Sequence, residues 1–257
     1  MKRFLILAAL AIPAFASADS LSTGLDSIGV YGQIVGTPTT ISASIPGYGS
    51  ATASGGNTTG GIGVSATGVN QQLWFTHLGF NYAFGPAINS ATATVYNASG
   101  NPIASGSGSV NDHGHSLQFN ARLGKAFEVA HDVIVGPYIG YQYAQFSVGL
   151  DGYSASYGNN AVGGGIYAAM APSSQITLSG HLGYLAGVSA TATDAKNTPS
   201  ADDLQVGAKA DYRFDSRWSG FVGVDYDRYS ASDQVNATLG NAHINDVRGL
   251  VGMAYHY

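Results

Sequence analysis

The chain has 257 residues, of which 10% are charged and 36 are glycine, and it contains no cysteine. The lack of cysteine excludes a disulfide scaffold and thiolate chemistry, and the charge depletion suits neither a soluble globule nor a disordered tail. Without Lys2 and Arg3, eight basic residues face 15 acidic ones, a net charge of about −7 with histidine neutral, which argues against nucleic acid as a partner.

Residues 1–18 have the pattern of a secretory signal. Lys2 and Arg3 are followed by an apolar run from Phe4 to Phe15 and by the small residues Ala16, Ser17 and Ala18. The run is too short to span about 30 Å of hydrocarbon. Cleavage by signal peptidase before Asp19 is expected, leaving 19–257 as a single domain. No later stretch approaches the roughly 20 apolar residues of a transmembrane helix.

Beyond the leader, a period of two recurs, the signature of strands with one apolar face. A first strand is expected near Ile28 to Val35. The clearest alternation is "LWFTHLGFNYAF", with Trp74, Thr76, Leu78, Phe80, Tyr82 and Phe84 on one face and Phe75, His77, Gly79, Asn81 and Ala83 on the other. In "SLQFNARLGKAF", Leu117, Phe119, Ala121 and Leu123 face out while Gln118, Asn120 and Arg122 face in. In "VIVGPYIGYQYAQF", Val135, Ile139, Tyr141 and Tyr143 oppose Tyr138, Gly140 and Gln142. Further strands are expected at 204–214, 217–230 and 244–257. Aromatics at strand ends (Trp74, Phe84, Tyr141, Tyr143, Trp218, Tyr226) match the two girdles of a membrane barrel.

Short breaks fall at 85–87, 130–132, 172–174 and 215–217. Longer polar stretches lie near 37–70, 99–114, 149–160, 189–202 and 231–243. Four short turns and five longer loops join ten strands, so the fold expected is all-β: an antiparallel up-and-down transmembrane barrel, with eight or twelve strands as alternatives. The segment 88–98 reads as a weak strand, and 102–110 could add a hairpin to it. Both termini then lie at the short-turn, periplasmic side. A soluble β-sandwich would also alternate, but it would carry far more surface charge.

Inward positions of the last strands collect the charges. Lys209, Asp211 and Arg213 share one strand, Asp225 and Asp227 the next, Asp246 and Arg248 the last, and Arg122 points in from an earlier strand. Lys209 and Arg248 are expected close to the carboxylates of Asp225 and Asp227. Such a set either selects solutes or fills the lumen as a salt-bridge network, and the small interior favours filling. Asp225 and Asp227 form a pair without a positioned base, His243 being assigned to the following loop, and no enzyme activity is expected. Asp112, His113 and His115 in "DHGH" form a weak metal pattern in a polar loop. "GIGVSA" at 61–66 matches a dinucleotide-binding pattern without its strand–helix context. No cofactor or metal is expected.

The chain ends in "GLVGMAYHY". Val251, Met253, Tyr255 and Tyr257 are expected to face lipid, with the last strand pairing with the first so that Gly252 comes near Tyr31 or Gln33. The leader, "GPYIGYQYAQF", "GGGIYAAMAPSSQITLSGHLGYLAG" and this terminal strand together resemble the Gram-negative outer-membrane β-barrel superfamily, especially OmpA-like and opacity-type porin-like proteins. "PYIGYQYAQFSVGLDGYSAS" also resembles autotransporter translocator barrels, which normally follow a large passenger. The resemblance implies that Val251, Met253, Tyr255 and Tyr257 form the signal read by the barrel-assembly machinery, with Tyr257 where phenylalanine is usual. It also implies contact with outer-membrane lipid and lipopolysaccharide. The function expected is porin-like or structural, with a surface adhesin as the alternative and with small solutes or host ligands as possible partners.

Overall fold

The computed structural model describes residues 25–45, 49–150, 153–192, 200–235 and 238–257. The expected leader lies outside them. Among the described residues no helix is long and apolar enough to cross a membrane. The strand segments are β1 (Ser27–Gly36), β2 (Thr39–Ile45), β3 (Gly49–Gly56), β4 (Thr58–Val69), β5 (Trp74–Tyr96), β6 (Pro102–Lys125), β7 (Phe127–Ala130), β8 (Val133–Leu150), β9 (Tyr153–Ser173), β10 (Ile176–Ala192), β11 (Asp202–Arg213), β12 (Trp218–Val235) and β13 (Thr238–His256). β1 runs on into β2, β3 into β4, and β6 into β7. The segments therefore make ten staves of one closed antiparallel barrel.

Closure follows from the first and last staves. β1 pairs antiparallel with β13, with Tyr31 opposite Gly252 and Gln33 opposite Leu250. In hydrocarbon an open edge would leave backbone groups unsatisfied at several kcal/mol each, so a sheet that enters a bilayer must close. The alternation expected for the spanning strands is present. Val30, Ile34, Phe80, Phe84, Ile139, Val222, Val251 and Met253 are exposed, while Gln33, Asn81, Gln118, Gln142 and Asp227 on the alternate positions are buried. Exposed apolar side chains on this scale make a lipid-facing surface.

The short turns lie at one end, at 70–73, 131–132, 174–175 and 214–217. Three agree with the breaks in the sequence, but 85–87 lies inside β5. Pro86 is tolerated there because β5 has no partner on its β3/β4 side at that point: pairing passes from Gly60–Phe84 directly to Gly56–Ser90. The missing N–H therefore breaks no ladder bond on that side. The actual first turn is built by Asn70, whose side-chain oxygen accepts from the backbone N–H of Gln72 and Trp74 at 3.0 and 2.9 Å. Leu73 takes a positive φ of 60° in this turn.

The long polar stretches are mostly strand. Residues 37–70 contain β2, β3 and β4, and of the segment 88–98, residues 88–96 pair with 102–111 as the upper part of the β5–β6 hairpin, which adds length and no extra stave. The stretch from Trp74 to Phe84 rises roughly 25 Å at a strand tilt of about 40°, the height of an apolar band. The rest of β5, to Tyr96, rises roughly 30 Å further. Above the stretch from Trp74 to Phe84 the apolar alternation stops. Instead, outward positions form hydroxyl rows: Ser42, Thr52, Thr94 and Ser105 in one, Thr40, Ser54, Thr92 and Ser107 in the next.

Substituting arginine for Val222, which is 58% exposed on the apolar face, should cost about 2–4 kcal/mol in folding titrations into lipid vesicles. The loss should grow with bilayer thickness. Cysteines at Gln33 and Leu250 should crosslink in the folded protein, since the two residues face each other across the closure.

Candidate functional site

The inward face is filled in three layers. At the turn end, Leu25, Val69, Phe75, Ala126, Ile134, Tyr138, Ala169 and Ala171 form a buried apolar cluster, with Leu73 and Tyr167 packed on it. Phe75 stacks on Tyr167 at 4.7 Å and meets Tyr138 edge-on at 6.3 Å. Tyr138 lies across β9 where that strand has glycine: a Cβ on Gly165 would stand 2.6 Å from Cζ of Tyr138. Asp26, just before β1, accepts a hydrogen bond from the Val69 N–H at 2.6 Å and ties the entry of the chain to the neighbouring stave.

A polar belt crosses the lumen above this cluster. Arg248 donates to Asp227 and to Gln118. Gln118 Nε2 donates to Asp227 at 2.9 Å and to the Tyr229 hydroxyl at 2.8 Å, and Gln142 reaches the same hydroxyl at 2.6 Å. Gln205 bonds Gln142 and, at 2.7 Å, Asp203. Tyr31 donates to Asn81 at 2.7 Å, and Asn81 donates to Gln118 at 3.3 Å. β6 lies across the barrel from β12, with four staves between them on either path round the wall, so the Gln118–Asp227 bond spans the lumen.

The third layer is apolar again. Tyr229, Ala144 and Ala201 are buried, with Phe146, Tyr157, Ala231 and Ile244 against them. Phe146 meets Tyr229 edge-on at 5.3 Å. Asn159 exchanges two hydrogen bonds with the backbone of Ala201, at 2.8 and 2.9 Å, and fixes that residue over the layer. Between the belt and the lower cluster is a cavity of about 90 Å³, lined among others by His77, Asn120, Arg122, His181 and Asp225. It has room for roughly six waters.

The expected charges divide among these layers. Arg248, Asp227 and Asp246 come together, with Arg248 Nε 3.8 Å from Asp246. Lys209 pairs with Asp211 on its own strand at 3.2 Å, not with Asp225 or Asp227, and its ammonium lies over the Phe221 ring at 5.0 Å. An i, i+2 pair on one strand faces the same way, and that shorter route wins. Arg122 donates to His181 at 2.9 Å. Asp225 lines the cavity, and Arg213 is half-buried on β11 near the turn end. A reading based on charge missed the neutral Gln205, Tyr229, Asn81 and Tyr31, which carry much of the crossing, and it also passed over Asp203, which accepts from Gln205. The signal for the neutral four is amides and tyrosines at inward positions.

His243 is on β13, not in a loop, and contacts Ser230 at 3.1 Å on the outer face. The "DHGH" backbone belongs to β6, not to a loop. The side chains of Asp112 and His113 lie outside the described residues, and His115 is exposed beside Tyr82. "GIGVSA" is part of β4. Of the aromatics, Trp218 meets Tyr255 edge-on at 5.3 Å, Lys125 lies 5.5 Å from the Trp74 ring, and Phe84 stacks on Tyr82 at 5.7 Å. Tyr143 bonds Gln145, Tyr226 bonds Asn245, and Tyr141 bonds Asn160. Val251, Met253, Tyr255 and Tyr257 are all exposed on the outer face.

This architecture, a closed antiparallel barrel with an apolar exterior and a polar interior, is the outer-membrane β-barrel fold. The sequence matches no family profile and no curated protein. Among solved structures, the chain is similar to the outer membrane protease OmpT from Escherichia coli, at 12% identity and a TM-score of 0.62 over 90% of this chain and 97% of that one. It also matches the translocator domain of autotransporter NalP from Neisseria meningitidis (18% identity, TM-score 0.42, 93% and 92% covered) and OprG from Pseudomonas aeruginosa (10% identity, TM-score 0.40, 91% and 96% covered). At these identities the likeness is one of fold.

Replacing Arg248 with methionine should cost about 3–5 kcal/mol, because it strands the buried Asp227 carboxylate. Replacing Asp227 with leucine in the same chain should recover most of the loss in a urea titration. Burial pushes the Asp26 carboxyl up to about 6, against the backbone bond from Val69, which lowers it. A raised carboxyl stabilises the fold fully below its ordinary value near 3.8 and loses that contribution as pH rises through about 6. Asp26→Asn should therefore flatten the stability profile between pH 4 and 7, measured by thermal unfolding across that range.

Proposed function

We propose that the chain is an outer-membrane surface barrel with a closed lumen, whose work is done by the tall sheet it raises above the bilayer. The supporting observation is the belt from Arg248 and Asp227 through Gln118, Tyr229 and Gln142 to Gln205, which joins opposite walls. With apolar layers on both sides of the belt, we read the 90 Å³ cavity beneath it as a pocket and not a conduit. In this reading the short turns and both termini face the periplasm. The hydroxyl rows of β2, β3, β5 and β6 stand in the saccharide layer of lipopolysaccharide. Val251, Met253, Tyr255 and Tyr257 serve as the assembly signal.

Proteolysis belongs to the similar E. coli structure. Here Asp227 is held by Arg248 and Gln118, and His243 points away from it on the outer wall. We therefore read this barrel as non-enzymatic. Single-channel recording of the refolded protein tests the closed lumen. Planar bilayers should show no steady conductance steps, and reproducible open levels would contradict it.

A further inference from the structure

No Asp, Glu, Lys or Arg occurs between Asp26 and Asp112. The upper sheet is built largely from this stretch, and it ends in a free edge. β6 pairs with β8 only from Gly114 to Gly124, so from Pro102 to His113 it has β5 on one side and, among the described residues, no strand on the other. Residues 101–108 are all exposed. A row of unpaired N–H and C=O groups is a template for strand addition, which proteins usually block with charge, proline or a bulge. Here the only proline is at the start of the strand, the only register shift is at its tip beside Tyr96, and no charge occurs before Asp112. The opposite edge of this sheet, where β12 continues past the end of its pairing with β11 at Ser230, carries Asp233 in its sequence.

We propose that this free edge pairs with the same edge of a second copy presented from a facing membrane. The edge is self-complementary. In an antiparallel pair centred on Gly106, Ser105 of each copy lies opposite Ser107 of the other on the outward face, and Ala104 lies opposite Gly108 on the inner face. From Ala104 to Gly108 every contact is between small neutral residues, with Ile103, 64% exposed, at the margin of the pair, and the serine hydroxyls supply cross-strand hydrogen bonds.

Orientation follows from strand tilt. Two copies in one membrane are related by an axis along the membrane normal, which keeps both β6 strands running the same way and crosses them at about twice the tilt, roughly 80°. Antiparallel pairing needs a two-fold axis perpendicular to the sheet, which inverts one copy, as in an apposed membrane. The β5–β6 hairpin, with the longest strands of the barrel, reaches furthest toward that partner.

The pairing rests on the outward orientation proposed above, but its test is separate from conductance. Phosphatidylcholine vesicles carrying the refolded protein should cluster, read by light scattering. The double variants Ser105→Lys/Ser107→Lys and Ser105→Asp/Ser107→Asp place like charges opposite each other in any nearby register, so each population alone should stay dispersed. Mixing the two should restore clustering to the wild-type level, because opposite charges then face each other. Retained resistance to heating in detergent gels verifies that each variant is folded. The proposal is overturned if wild-type vesicles stay dispersed, if the charged variants cluster as the wild type does, or if the mixture fails to recover. Clustering that requires an added second polypeptide would assign the edge to a foreign strand and equally overturn it.

Discussion

A backbone amide in hydrocarbon has no water to bond, and nearly everything else in this structure follows from that. The sheet must close, so β1 meets β13 with Tyr31 opposite Gly252. Once closed, the ten staves enclose an interior that side chains largely fill. The wall then sorts residues by a period of two. Odd positions of β13 face lipid and even ones face the lumen, so Arg248 and Val251, three residues apart, meet opposite environments.

The lumen is where this sorting becomes costly. Polar residues sent inward lose water, and each must find a partner. Arg248 and Asp227 alone would be an exposed liability of the design, since burying two charges carries a desolvation penalty that their attraction barely repays. The amides of Gln118, Gln142 and Gln205 distribute the bonding, and the Tyr229 hydroxyl accepts from two of them. The same tyrosine packs its ring into the upper apolar layer. It joins the two kinds of packing in one side chain.

The spanning part of the barrel was legible in the sequence because lipid enforces alternation. Trp74 to Phe84, Leu117 to Leu123 and Val251 to Tyr257 could each be assigned a face from spacing alone. The count of ten came out right because two errors cancelled: the break at 85–87 split β5 into two strands, and the β3–β4 stave was read as part of a loop. Above the bilayer that constraint lapses. Ser, Thr, Ala and Gly fill β2, β3 and the upper halves of β5 and β6 without an apolar alternation, so these strands read as loops, and β4, rich in the same residues, was read with them although it pairs with the apolar stretch of β5. Pro86 read as a turn because its lack of an N–H signals a break, and only the gap in pairing between Phe84 and Ser90 shows why it costs nothing. In the site, charges were easy to assign to the lumen but their partners were not. Lys209 chose Asp211 on its own strand, and the neutral amides that complete the belt carry no charge by which to single them out.

The central claim is that opposite walls are energetically joined through the lumen. A double-mutant cycle between Gln118 and Arg248, 130 residues apart in sequence, tests it most directly. Gln118→Leu, Arg248→Met and the double variant would be compared in folding titrations into vesicles. The account predicts a coupling of about 1–3 kcal/mol, as for residues sharing one buried network. Additive effects, with coupling near zero, would contradict it.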